Sequence, residues 1–169
     1  MNKLSALGAA PKIGGIALPW LVLAIFLSIR YKEYFFYFSE MSPILFLSGL
    51  TLVLIGLILY FLTAISLIKG LKETRLITNG TYYLCCNPLY TSIILFILPG
   101  ISLMMNSWLI LTTSFLAFAA FKVFIRSEYR ELESFFGEAY IQYRSKTPEL
   151  IPFPIKKWFM AKKYRFPNS

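Results

Sequence analysis

Residues 13–29, 43–68, 89–105 and 108–125 are four apolar runs that hold a single charge between them, Lys122. Runs of this kind need surroundings as apolar as themselves. A spanning helix takes about 20 such residues, and it satisfies its own backbone hydrogen bonds, as hydrocarbon demands. The chain is 57% hydrophobic, well above an ordinary soluble domain. Its 169 residues leave no room for a second sizeable soluble unit beside a membrane bundle. The expectation is one all-α, integral-membrane, multi-pass helical bundle. It has about four transmembrane helices and a helical C-terminal extension in the cytoplasm.

The four runs are not alike. The first is short for a span, and Tyr34-Phe35-Phe36-Tyr37-Phe38 beyond it suits the membrane interface. The second is long enough to cross with tilt. The third contains Pro99-Gly100, where a kink is expected. Asn106-Ser107 is a tight turn that makes the last two runs a helical hairpin. Gly49, Gly56 and Gly70 read as close-packing positions, although they do not form a GxxxG motif. Lys3 and Lys12 give the chain a basic start, as in a signal peptide. The first run ends in Arg30-Tyr31-Lys32, not in a small-residue cleavage site, so an uncleaved helix is expected.

Charge sets the expected orientation. With four helices, both ends and the middle loop share one side. That side carries fifteen Lys and Arg residues, and the other carries only Arg30 and Lys32. Such asymmetry places both termini in the cytoplasm. The same charge, +9 in all, suits contact with anionic lipid headgroups. The basic residues do not interleave with aromatics along a soluble face, so no nucleic-acid partner is expected. On this topology Asn79-Gly80-Thr81 is a cytoplasmic turn, not a glycosylation acceptor.

Composition removes several chemistries. There is no His and no Asp; all eight acids are Glu. Ser-His-Asp triads and most zinc or di-iron sites are thereby excluded, and no metal is expected. The two cysteines, Cys85 and Cys86, are adjacent, which suits neither a disulfide framework nor a CxxC redox site. They read as small packing residues, with reversible palmitoylation as the alternative.

Two segments concentrate polar residues at one membrane face. In Cys86-Asn87-Pro88-Leu89-Tyr90, Pro88 suits the first position of a helix and Asn87 its N-cap. The free N–H groups there can receive an anion. A plain interfacial helix start with a tyrosine anchor has the same appearance. In the second segment, the fourth helix continues past the apolar run through Glu128 and ends at Gly137, a suitable C-cap. A carboxylate this near the membrane is costly unless paired or solvated. Glu128 is a site candidate on that ground, and equally an interfacial charge paired with Arg126, Arg130 or solvent.

Together these segments resemble the isoprenylcysteine carboxyl methyltransferase and phospholipid methyltransferase families of integral-membrane enzymes. Gly80, Tyr82, Asn87, Pro88 and Tyr90 match a Gly-x-Tyr segment followed by a helix-opening Asn-Pro-x-Tyr, with Leu76-Ile77-Thr78 as lead-in. Glu128, Leu132, Phe136-Gly137 and Tyr140 match a second motif, and Tyr143 to Pro148 with Ile151-Pro152-Phe153 resembles the family's ending. The likeness runs over about residues 70–153, roughly half the chain. Cys86 stands where Arg is usual, and Tyr129 where a second Glu is usual.

The resemblance implies an S-adenosylmethionine-dependent methyltransferase. Residues 1–70 would be N-terminal transmembrane helices and 71–153 the cofactor-binding region. Residues 154–169 read as a basic and aromatic interfacial tail. The cofactor would lie between the Asn87-Pro88 helix start and the Glu128 helix, contacting Gly80, Tyr82, Asn87, Pro88, Leu89, Tyr90 and Glu128. Glu128 would bind the methionine ammonium, Asn87 other polar groups, and Tyr90 would wall the pocket. A lipid-like or prenylated acceptor would enter sideways from the bilayer. A carboxylate acceptor needs positioning but no base, so it is preferred over an amine in a chain with few bases. Two alternatives stay open. One is an inactive binding or assembly protein that keeps the fold; the other is a relative of membrane sterol-type reductases using a nicotinamide cofactor.

Overall fold

The structure, a computed structural model, describes residues 8–38 and 42–150. Among these the chain is helical apart from turns and one isolated antiparallel bridge, Phe36 to Ser107. Three helices are long and apolar enough to cross a membrane: α1 (Ala10–Arg30), α3 (Pro43–Glu73) and α7 (Trp108–Phe136). A short α2 (Lys32–Phe35) comes after α1, and α4 (Thr81–Leu84) lies beyond α3. The third apolar run is a composite of α5 (Pro88–Thr91), a π-helical segment (Ser92–Ile97) and α6 (Leu98–Met104). Together, Pro88–Met104 is a shorter apolar helix than the other three. The chain then closes with α8 (Glu138–Lys146).

The expected kink at Pro99-Gly100 takes a different form. The irregularity lies in the preceding turns, where Leu98 N–H reaches back to Ile93 O in a π-type bond. In that register the next N–H would go to Ile94 O, but residue 99 is proline and has none. The hydroxyl of Ser114 on α7 donates to Ile94 O instead. The π segment thus absorbs the missing donor, and the neighbouring helix satisfies the orphaned carbonyl.

α1 packs along α7, and α3 packs on α6 and the π segment. At the second contact, a Cβ on Gly49 would come within 2.6 Å of Gly100 O, so only glycine permits this approach. The buried spine of α7 is Ile110, Thr113, Ala117, Phe121, Ile125 and Tyr129, mostly four residues apart. Trp20 Nε1–H donates to Thr112 Oγ1 at 2.9 Å across the α1–α7 contact. Most of α3's side chains point outward, with only Gly49, Gly56, Thr63 and Gly70 buried. An apolar helix exposed in this way suits lipid surroundings.

The Asn106-Ser107 turn forms as expected, with Asn106 at φ 52. Asn106 Nδ2 donates to Phe38 O at 2.8 Å, and its Oδ1 accepts from Phe38 N–H at 3.3 Å. Tyr37 OH pairs with Ser102 Oγ at 2.9 Å, and Ser28 Oγ with Ser107 Oγ at 2.6 Å. The Gly137 end of α7 also forms as expected, with φ 56. The tail at 154–169, the match at Ile151-Pro152-Phe153 and Lys3 lie outside the described residues.

Candidate functional site

The site is at the opposite end of the bundle from Asn106. There the N-terminus of α1, the C-terminal turns of α3, the start of α5 and the polar end of α7 meet. Glu128 lies less than one turn beyond Ile125, the last buried aliphatic of α7. Helical spacing therefore keeps it on the side of α7 that faces the bundle. Across from it, Tyr90 rests its ring on Phe121, centroids 5.1 Å apart, and donates its hydroxyl to Glu128 Oε2 at 3.0 Å.

A second donor comes from the start of the described chain. Ala9 N–H donates to the same Oε2 at 2.9 Å. α1 has no side-chain cap of its own and no acid in its first turn. Glu128 supplies the acceptor, and its negative charge faces the positive end of the α1 dipole. Among the described residues both bonds fall on Oε2, and none falls on Oε1.

Tyr90 and Glu128 line a cavity of about 370 Å³, within the usual range for small-molecule sites. Tyr60, Ala64, Leu67 and Ile68 of α3 give it an apolar wall. Tyr82, Tyr140 and Tyr143 give it an aromatic one, and Arg75 and Glu131 add charge. Of the residues expected at a site, Tyr82, Asn87, Pro88, Leu89, Tyr90 and Glu128 all line this cavity. Gly80 does not. It sits at φ 63 before α4 with open space where a Cβ would be, so it shapes the turn.

Asn87 differs in detail from expectation. It occupies the N-cap position of α5, but its side chain makes no capping bond. Its Nδ2 donates to Tyr129 OH at 2.6 Å and to Glu149 O at 3.1 Å. Tyr129 OH in turn donates to Glu149 Oε1 at 2.9 Å, and Lys122 pairs with the same carboxylate. The Arg144 guanidinium lies 3.9 Å from the Tyr129 ring centroid. Backbone bonds complete the tether: Cys86 N–H to Pro148 O at 2.8 Å and Asn87 N–H to Glu149 O at 3.2 Å. Tyr143 OH donates to Tyr82 O at 2.6 Å. The helix start is thus stitched to residues 147–150, and Tyr129, in place of a second Glu, is part of the stitching.

Three participants lie beyond the reach of sequence patterns. Glu149 sits inside the segment that resembles the family's ending, but no spacing rule pairs it with Asn87. Gly8 and Ala9 precede the first apolar run, and their only sequence signal is a helix start without a cap. The electrostatics are those of a buried site. Burial, and then the Glu128 carboxylate, hold the Tyr82 hydroxyl above its ordinary pKa. Burial, and then Cys85, push the Cys86 thiol up to about 11, against a lowering from Tyr143 and then Arg144. Both groups therefore stay protonated at neutral pH. Among the described residues no cluster of three or more His, Cys, Asp or Glu forms a metal site.

No family model matches the chain, and no solved structure matches it. The chain is 40% identical over 86 residues to the cobalt-zinc-cadmium resistance protein CzcN of Cupriavidus metallidurans. The match takes in 50% of this chain and 39% of that protein, well short of the relative's full length.

Proposed function

We propose that this chain is an integral-membrane, S-adenosylmethionine-dependent methyltransferase acting on a lipid-like or prenylated acceptor, with carboxylate O-methylation preferred over amine N-methylation. The observation that carries the reading is Glu128: a carboxylate fixed through one oxygen, beside tyrosine rings, in a cavity whose other wall is apolar. Bound cofactor would supply an electrophilic methyl group on a sulfonium. Glu128 Oε1 would receive the ammonium of its amino-acid part, and the tyrosine faces suit its positive charge. The α3 wall, formed by Tyr60, Ala64, Leu67 and Ile68, suits an apolar acceptor tail. A carboxylate acceptor requires no base, in keeping with the protonated state of Tyr82 and Cys86.

The topology that goes with this function has four spans, counting the composite helix Pro88–Met104, and both termini in the cytoplasm. It puts the cavity at the basic, cytoplasmic face. In a background lacking Cys85 and Cys86, cysteines at the exposed positions Lys32 and Gln142 should label from opposite sides of the membrane. Labelling of both from one side would reject the topology.

One observation favours a second reading, a binding or assembly protein without turnover. Asn87 and Tyr129 are engaged in the tether to Glu149, which leaves fewer polar groups for a cofactor. Isothermal titration of detergent-solubilised protein with S-adenosylhomocysteine decides whether the site binds the cofactor class at all. Micromolar binding supports the methyltransferase reading. Binding of a nicotinamide dinucleotide in its place would overturn it in favour of a reductase-like protein.

A further inference from the structure

Gly8 is at φ +47, and its α-carbon is pressed against Glu128 so closely that a Cβ would lie 2.6 Å from the carboxyl carbon. The next residue's N–H is the one bonded to Glu128 Oε2, at 2.9 Å. Gly8 and Ala10 both line the cavity. The left-handed backbone and the missing side chain together let this peptide reach the carboxylate.

We infer that Gly8 and the Ala9 amide are positioning elements of the ligand site. They hold Glu128 Oε2 from one side while Tyr90 OH holds it from another. The carboxylate is thereby fixed in rotation, and Oε1 is presented to a primary ammonium in the cavity. The cation's receptor is then built from the start of α1 and the C-terminal half of α7, and α1 is part of the site as well as a span. The identity of the ligand rests on the methyltransferase reading; the positioning itself does not.

A side chain at residue 8 must displace the carboxylate, since the far neighbour is a carboxyl group that Tyr90 also holds. Gly8→Ala in the full chain should therefore weaken S-adenosylhomocysteine by about tenfold or more, the scale of one charge-assisted hydrogen bond. It should leave binding of methylthioadenosine, which has the nucleoside but no ammonium, nearly unchanged. In a Glu128→Gln background, Gly8→Ala should add little, because the two act through one group. Equal weakening of both ligands, or full additivity with Glu128→Gln, would show a general structural role and overturn the inference. If the wild-type chain binds neither ligand, the methyltransferase reading fails, and hydrogen exchange at the Ala9 amide judges the positioning alone. Faster exchange in Glu128→Gln supports the anchoring; unchanged exchange overturns it.

Discussion

At one end of the bundle Ser28, Ser102, Asn106 and Ser107 are buried, and they bond to one another, to Tyr37 and to the Phe38 backbone. At the other end Glu128 is held through a single oxygen, and a cavity of about 370 Å³ opens beside it. Both ends bury polar groups in an otherwise apolar chain, and burial without partners costs free energy at either. The first end closes its network on itself, which fixes a loop between spans. The second, among the described residues, bonds Glu128 through Oε2 alone and keeps a cavity beside it.

The largest effect that would sharpen this contrast is at the closed end. Asn106→Ala removes both bonds to Phe38 and leaves alanine at a positive φ. The loss should be about 3 kcal/mol of stability, since buried backbone partners are left unpaired and the left-handed backbone adds strain. Ligand affinity at the far end should hardly change. A drop in affinity as large as the drop in stability would mean that the two ends are one cooperative unit.

Next comes the open end. Glu128→Gln should weaken S-adenosylhomocysteine by about 10- to 150-fold, the worth of one charge-assisted bond. Glu133→Gln should do little, because Glu133 is a partly exposed partner of Arg144 on the outer surface. Equal small effects from the two would make Glu128 an ordinary cap for α1. Tyr129→Phe tests the tether between these effects. It removes the acceptor for Asn87 and the donor to Glu149, and should cost about 1–2 kcal/mol of stability. A larger loss in affinity than in stability would move Tyr129 from the tether into the ligand site.

How far the sequence reveals these ends depends on whether the signal is local. The Asn106 turn, the Pro88 helix start and the Gly137 end of α7 are each written in one or two residues with known backbone preferences, and each forms as read. Glu128 is legible because a lone carboxylate near an apolar run is costly. The π segment is not, since Pro99 removes a donor but the irregular register lies a turn earlier, and the carbonyl it orphans is met by Ser114 from another helix. Ala9 and Glu149 are hidden for a related reason. The contacts they make join residues 119 and 62 positions apart, at Glu128 and Asn87, and no periodicity spans such a gap.

The smallest effects concern Cys86, which lines the cavity where the resembled families carry Arg. Its thiol donates to Thr147 O at 3.4 Å, and Arg144 is close enough to act on it electrostatically. With the thiol raised from 9.0 to about 11, the folded state holds a proton that the unfolded state releases between those values. Stability from this group is therefore complete below pH 9 and declines as pH rises toward 11. Maleimide labelling of Cys86 should be slow at neutral pH and rise about tenfold per pH unit with the thiolate fraction. Labelling already fast at pH 7 would mean that the half-buried surroundings of the thiol do not hold it protonated. Cys86→Arg then separates two histories of the site. An introduced guanidinium would meet Arg144, a like charge, and would lose the Thr147 contact. The expected outcome is a lower melting temperature with no gain in S-adenosylhomocysteine affinity, because a new cation in the cavity would compete with the ligand's ammonium for Glu128. A stable variant that binds more tightly would show instead that the native chain lacks an anion contact its cavity still has room to make.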